Sequence, residues 1–182
     1  MASIAKEFID TVIRRLKYYK DLGDKTFEQL SDADFHYRPN EESNSIAIIM
    51  QHMAGNMLSR WTNFLTEDGE KEWRQRDDEF EIHDYNKLQL LNLWEKGWLC
   101  FLTAIEPLTK KELKQTIYIR KEPLLVIDAI NRQLAHYPYH VGQIVFLGKI
   151  IKSHNWKNLS IPKGDSQVYN SSADVKDPAK KF

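Results

Sequence analysis

The chain has 182 residues, 42% hydrophobic and 29% charged, a composition that sets aside intrinsic disorder and suits one domain with a full-sized core. Lysine plus arginine and aspartate plus glutamate balance at 26 each, so the basic excess that supports duplex nucleic-acid binding is missing and nucleic acid is not an expected partner. The single cysteine, Cys100, excludes an intrachain disulfide. No stretch reaches the roughly 20 apolar residues needed to cross a bilayer, and Lys6, Glu7 and Asp10 interrupt the region where a signal peptide would be apolar, so a cytoplasmic protein with no membrane partner is expected.

Along the chain, Ala5, Ile9, Val12, Leu16 and Tyr19 recur at helical spacing and predict a first helix from about Ser3 to Asp21, with Gly23 as its stop. The segment Thr26 to Asn40 is broken by turn formers. Asn44 or Ser45 can cap a second helix that runs to about Leu65, with Ile48, Ile49, His52, Asn56 and Ser59 on or near one face. Glu70 to Ile82 reads as a long polar crossing loop, with Trp73 and Phe80 expected to pin it. A third helix is predicted from about Asp84 to Ile105 on the stripe Leu91, Trp94, Trp98, Phe101 and Ile105; Thr109 and Glu112 then have capping-box spacing.

Thr116 to Arg120 is β-prone but isolated. A fourth helix is predicted from Pro123 to about Lys152, kinked at Pro138. The resulting expectation is an all-α four-helix bundle with long crossing loops, a single domain over residues 1–172 followed by a mobile tail over 173–182.

Of the six histidines, His36, His83 and His154 lie in polar loop-like segments and read as solvated. His136 and His140 are four apart on an inward helix face, so both imidazoles can reach one ion at about 2.0–2.1 Å. His52 lies on the inner face of the second helix, and bundle cores do bring such faces together around metals. No HExxH pattern is present, since Tyr137 follows His136. Spacing alone leaves a purely structural cluster of buried histidines open. Asn56, Tyr139 and Gln143 are candidate supports around the cluster, with packing the plainer account of each. Arg60 and Arg132 could hold a carboxylate near it, with surface ion pairs as the plainer account. Cys100 sits in an apolar stripe and is not expected to be a nucleophile.

The words around these residues are more specific than the spacing. HYPYHVGQI (residues 136–144) and QHMAGNMLSRW (51–61) resemble the last-helix and second-helix motifs of the DinB-like, or YfiT-like, superfamily of four-helix-bundle metalloproteins. DGEKEWRQRDDEF (68–80), WEKGW (94–98) and LSIPKGDSQVYN (159–170) are similar to marks of a bacterial branch of unknown function within it. The resemblance implies that His52, His136 and His140 ligate a divalent ion (zinc, nickel or iron) and that the protein forms a homodimer. Pro138, between two of those ligands, departs from the usual pattern.

Three protein ligands leave a coordination position open, as metal catalysis requires. The superfamily resemblance implies a metal-dependent enzyme, a thiol-dependent transferase or hydrolase acting on a low-molecular-weight thiol such as bacillithiol or mycothiol, or on another small substrate. A non-catalytic metal-binding or stress-related protein is the alternative at this stage.

Overall fold

The computed structural model describes residues 3–182. Ser3 caps the first helix by accepting from the Lys6 amide, and α1 then runs Ile4–Phe27, beyond the predicted stop. Gly23 does not end α1. It is there because a Cβ would sit 2.7 Å from the Trp94 ring, so glycine lets α1 approach that indole closely. α2 spans Ile46–Trp61 with Ser45 as its cap, shorter than expected at its C-terminal end.

α3 spans Lys87–Ile105 behind a capping box in which Asn86 and Gln89 satisfy each other's backbone amides. The Thr109–Glu112 box is formed as well and opens a single turn, α4 (Lys110–Leu113).

The β-prone segment is not isolated. Thr116–Ile119 (β1) pairs antiparallel with Glu122–Leu125 (β2) in a two-residue hairpin, so Pro123 belongs to a strand. α5 therefore begins later than predicted and spans Val126–Lys152. Arg120 and Lys121, at the hairpin tip, both have positive φ, 56° and 66°. This geometry usually selects glycine or asparagine. Here the Asp68 carboxylate stabilises the turn by accepting from both tip amides, at 2.9 and 2.8 Å.

The molecule is thus mostly helical with one small hairpin. α2 packs on α3 and α5, and α1 packs on the same two helices. One continuous core runs between them, from Ile9 and Leu16 through Met50, Met53, Trp94 and Trp98 to Tyr137 and Ile144. α2 is buried nearly all round because the turns 33–36 and 78–80 cover its remaining faces.

The polar crossing loop is ordered onto α2 by Phe80, whose ring lies 4.8 Å from that of His52. Trp73 is 57% exposed and pins nothing. Residues 173–182, read as a tail, fold back on α1: Arg15 makes a two-pronged ion pair with Asp177 at 2.7 and 2.8 Å, and Ala179 is buried beyond it. α6 (Ser166–Ser171) precedes that return. Among the described residues no helix is long and apolar enough to cross a membrane.

Candidate metal centre

The close approach of α2 and α5 brings the three singled-out histidines together. His52 comes from the middle of α2; His136 and His140, one turn apart, come from α5. One ring nitrogen from each falls within 4.8 Å of the others. The Nε2 atoms of His136 and His140 are 3.0 Å apart, and those of His52 and His136 are 3.4 Å apart. Two nitrogens bound tetrahedrally at about 2.0–2.1 Å from one ion would be roughly 3.4 Å apart, so these two spacings match that donor set. Pro138 removes one backbone donor from α5 but does not divert the ligands: the helix is unbroken from Val126 to Lys152.

The other nitrogen of each ring bears on the tautomer. His52 Nδ1 lies 3.0 Å from Glu79 Oε2, His136 Nδ1 lies 3.3 Å from Gln133 Oε1, and His140 Nδ1 lies 2.8 Å from Gln143 Oε1. All three partners are acceptors, which places a hydrogen on each Nδ1 and leaves each Nε2, in the metal-binding tautomer, to present a lone pair to the common centre. Gln143 is held in that orientation by donating from Nε2 to the Tyr139 hydroxyl at 3.2 Å. Three lone pairs converging at these distances repel one another unless a cation lies between them.

Glu79 is the least expected member of the group. It sits on the 78–80 turn and is 9% exposed, and Arg74 grips both of its oxygens, at 2.7 and 2.9 Å. Burial pushes the Glu79 carboxyl up, but hydrogen bonds from His52 and Arg74 outweigh it and hold the group below the usual carboxylate range. Room for it comes from Gly55, where a Cβ would stand 2.1 Å from Glu79 Oε1.

Of the supports read from the sequence, Gln143 contacts a ring directly and Tyr139 contacts Gln143. Asn56 hydrogen-bonds no imidazole. It accepts from the buried Tyr137 hydroxyl at 3.2 Å, which in turn accepts from Trp61 Nε1 at 3.1 Å.

Glu79, Arg74, Gln133 and Gly55 were not singled out by sequence reasoning. Gln133 could have been, because it stands three residues before His136 just as Gln143 stands three after His140, on the same helix face. His36, His83 and His154 stay away from the centre; His36 bonds the Tyr85 carbonyl and His83 the Asp78 carbonyl.

The two imidazoles of α5 are electrostatically set to remain neutral. Burial, then His140 and His52, then Arg132 and Arg74, press His136 down to about 3 from the ordinary 6.5. Burial lowers His140 as well, against the bond to Gln143. An unfolded chain therefore takes up protons that the folded one refuses in the window from pH 6.5 down to about 3. Stability of chelator-treated protein is expected to be greatest above that window and to fall as pH is lowered through it. Denaturant midpoints at pH 7.5, 6 and 5 measure this, and a flat profile would contradict it.

Beside the histidines lies a cavity of about 230 Å³ lined by His52, His136, Asn56, Gln133 and five arginines.

In comparison with known proteins, a family model described as "Protein of unknown function (DUF1572)" matches residues 3–165. No curated protein matches the chain.

Proposed function

The chain belongs to the DUF1572 family of proteins of unknown function, and we propose that it is a divalent-metal protein of the DinB-like, four-helix-bundle kind whose three-histidine centre serves a metal-dependent reaction on a small substrate. The observation that carries this reading is the convergence of three Nε2 lone pairs, each fixed by an acceptor behind its ring. Such an arrangement costs energy without a cation and is what a bound one needs. His52, His136 and His140 would hold the ion, with Glu79, Gln133 and Gln143 orienting their rings.

A bound divalent ion supplies Lewis acidity and lowers the pKa of a coordinated water or thiol. Beyond the three ligands, the cavity offers guanidinium and amide groups and no carboxylate. Catalysis here would accordingly rely on a nucleophile that needs no protein base, which suits transfer of a small thiol and, secondarily, hydrolysis. The same lack of a free acid or base is the observation favouring a non-catalytic metal-binding role. A cobalt-substituted sample decides between the two: a spectrum that shifts on adding a small thiol indicates an exchangeable position, and an unresponsive one indicates a closed site.

The first test is elemental mass spectrometry of untagged protein purified without chelator, beside a His140→Ala variant. About one ion per chain in the wild type and almost none in the variant is expected for a site with three protein ligands. A wild type that stays metal-free after reconstitution with zinc, nickel and iron would leave a structural histidine cluster as the better account.

A further inference from the structure

We propose that the cavity beside the three histidines binds the anionic group, phosphate or carboxylate, of a small-molecule substrate, with Arg132, Arg76 and Arg120 at its exposed rim and Arg74 and Arg60 in its wall. The inference deepens the metal-dependent reading by naming the substrate class of that site, and it rests on that reading only for what happens to the anion once bound.

Charge is the first argument. Five guanidinium groups line one cavity with no carboxylate among the lining residues. The acids behind them are already shared: Glu70 bridges Arg60 and Arg120, at 3.0 and 2.9 Å, and Glu79 is taken by Arg74 and His52. Arg76 meets Asp77 only at 3.8 Å, and Arg132 has no carboxylate partner among the described residues.

The second argument is an unmet donor. Arg74 has a side chain 2% exposed, and its Nη1 is buried without a hydrogen-bond partner. Leaving such a group unsatisfied is costly, and more so when it is charged. Arg74 lines the cavity, its Nε and Nη2 are taken by Glu79, and Nη1 is the donor left over for an oxyanion that enters beside it.

Backbone strain is the third. Arg120 reaches the cavity from the hairpin tip, where it and Lys121 hold left-handed conformations that ordinary residues adopt at a cost. Asp68 clamps both amides, and the Gly69 amide donates to the Tyr118 carbonyl at 2.8 Å, tying the hairpin to the loop that carries Glu70. The fold accepts a disfavoured turn, and the result is one more guanidinium beside the histidines. At about 230 Å³ the cavity falls below the 300–1,000 Å³ usual for drug-sized ligands, which favours a small metabolite over a nucleotide.

The test is isothermal titration calorimetry at low ionic strength with two probes, inorganic phosphate and malonate. The proteins are wild type, Arg132→Ala, Arg76→Ala and His140→Ala, each with its metal content measured. Both arginines are exposed, so their removal spares the core, and His140 does not line the cavity.

Binding of at least one probe is expected in the wild type, weakened about tenfold in each arginine variant with metal content unchanged, and retained in His140→Ala. Tighter phosphate would mark a phosphorylated substrate, tighter malonate a dicarboxylate. No binding of either probe to wild type, or arginine variants that bind as wild type does, would overturn the proposal. So would binding that vanishes in His140→Ala alone, since that anion would be sitting on the ion. A metal-free wild type that still binds the anion would defeat the metal reading and leave this one standing.

Discussion

Replacement of Glu79 by alanine is expected to destabilise the protein by about 3–5 kcal/mol and to weaken metal retention by roughly ten- to a hundredfold. Both effects come from one carboxylate with two buried partners. Arg74 loses its only carboxylate partner among the described residues, and an uncompensated buried cation is what makes breaking such a pair costly. His52 loses the acceptor that keeps its hydrogen on Nδ1, so its Nε2 is no longer committed to the centre. Glu79→Gln separates the two contributions. The amide oxygen can still accept from His52 but carries no charge for Arg74, so stability should suffer while metal retention falls less than in Glu79→Ala. Gly55→Ala approaches the same contact from the other side: its methyl would stand 2.1 Å from Glu79 Oε1 and must displace the carboxylate with every metal-facing side chain intact. Chemical denaturation and competition with a chelator of known affinity measure both effects. Undiminished metal affinity in Glu79→Ala would mean that His52 needs no acceptor behind it.

The parts of the molecule that were legible in the sequence are those written in helical periodicity. The stripes of α1, α2 and α3, and the i,i+4 pair on α5, follow from 3.6-residue spacing alone. Errors occur where tertiary contacts override local signals. Gly23 has the look of a helix stop, but the reason for it is an indole from α3, some 70 positions along the chain, with Trp94 Nε1 on Asp24. Pro123 has the look of a first helical residue, but the β-prone segment before it finds a strand partner within a few residues, a pairing stabilised by a distant aspartate.

The candidate site divides along the same line. His52, His136, His140 and Gln143 share helix faces, so spacing could find them. Glu79 and Arg74 come from a polar loop with no periodicity, where one buried carboxylate looks like its solvated neighbours Asp77 and Asp78. What could have separated them is a pairing across elements: a glycine at Gly55 in the middle of a buried helix is space reserved for something, and that something is Glu79.

The second large effect is expected at Trp94, away from the histidines, where the cost is one of packing. Trp94 is 1% exposed, with Phe27 set edge-on at 5.1 Å and Trp98 at 5.5 Å. Its Nε1 donates to Asp24 Oδ1 at 2.7 Å, which satisfies the one polar atom the ring carries into the core. Trp94→Ala is expected to cost about 3–5 kcal/mol, since the surrounding rings cannot close the space a deleted indole leaves. For a chain of this size that is a fall of roughly 6–20 °C in Tm, read by calorimetry on the metal-loaded protein.

Two further variants show that the cause is shape and not aromatic content. Gly23→Ala leaves the indole in place but puts a methyl 2.7 Å from it, so it should destabilise despite the higher helix propensity of alanine. Trp73→Ala removes an equally large ring that is 57% exposed and should change Tm little. The contrast bears on the site as well. Trp98, edge-on to Trp94, lies 5.7 Å from the Tyr137 ring, and Tyr137 sits on α5 between the two histidines of that helix. If the indole layer sets the separation of α2 and α5, Trp94→Ala should loosen metal retention along with stability. If α2 and α5 hold their distance through Trp61, Tyr137 and Asn56 alone, stability should fall while metal retention stays at the wild-type level.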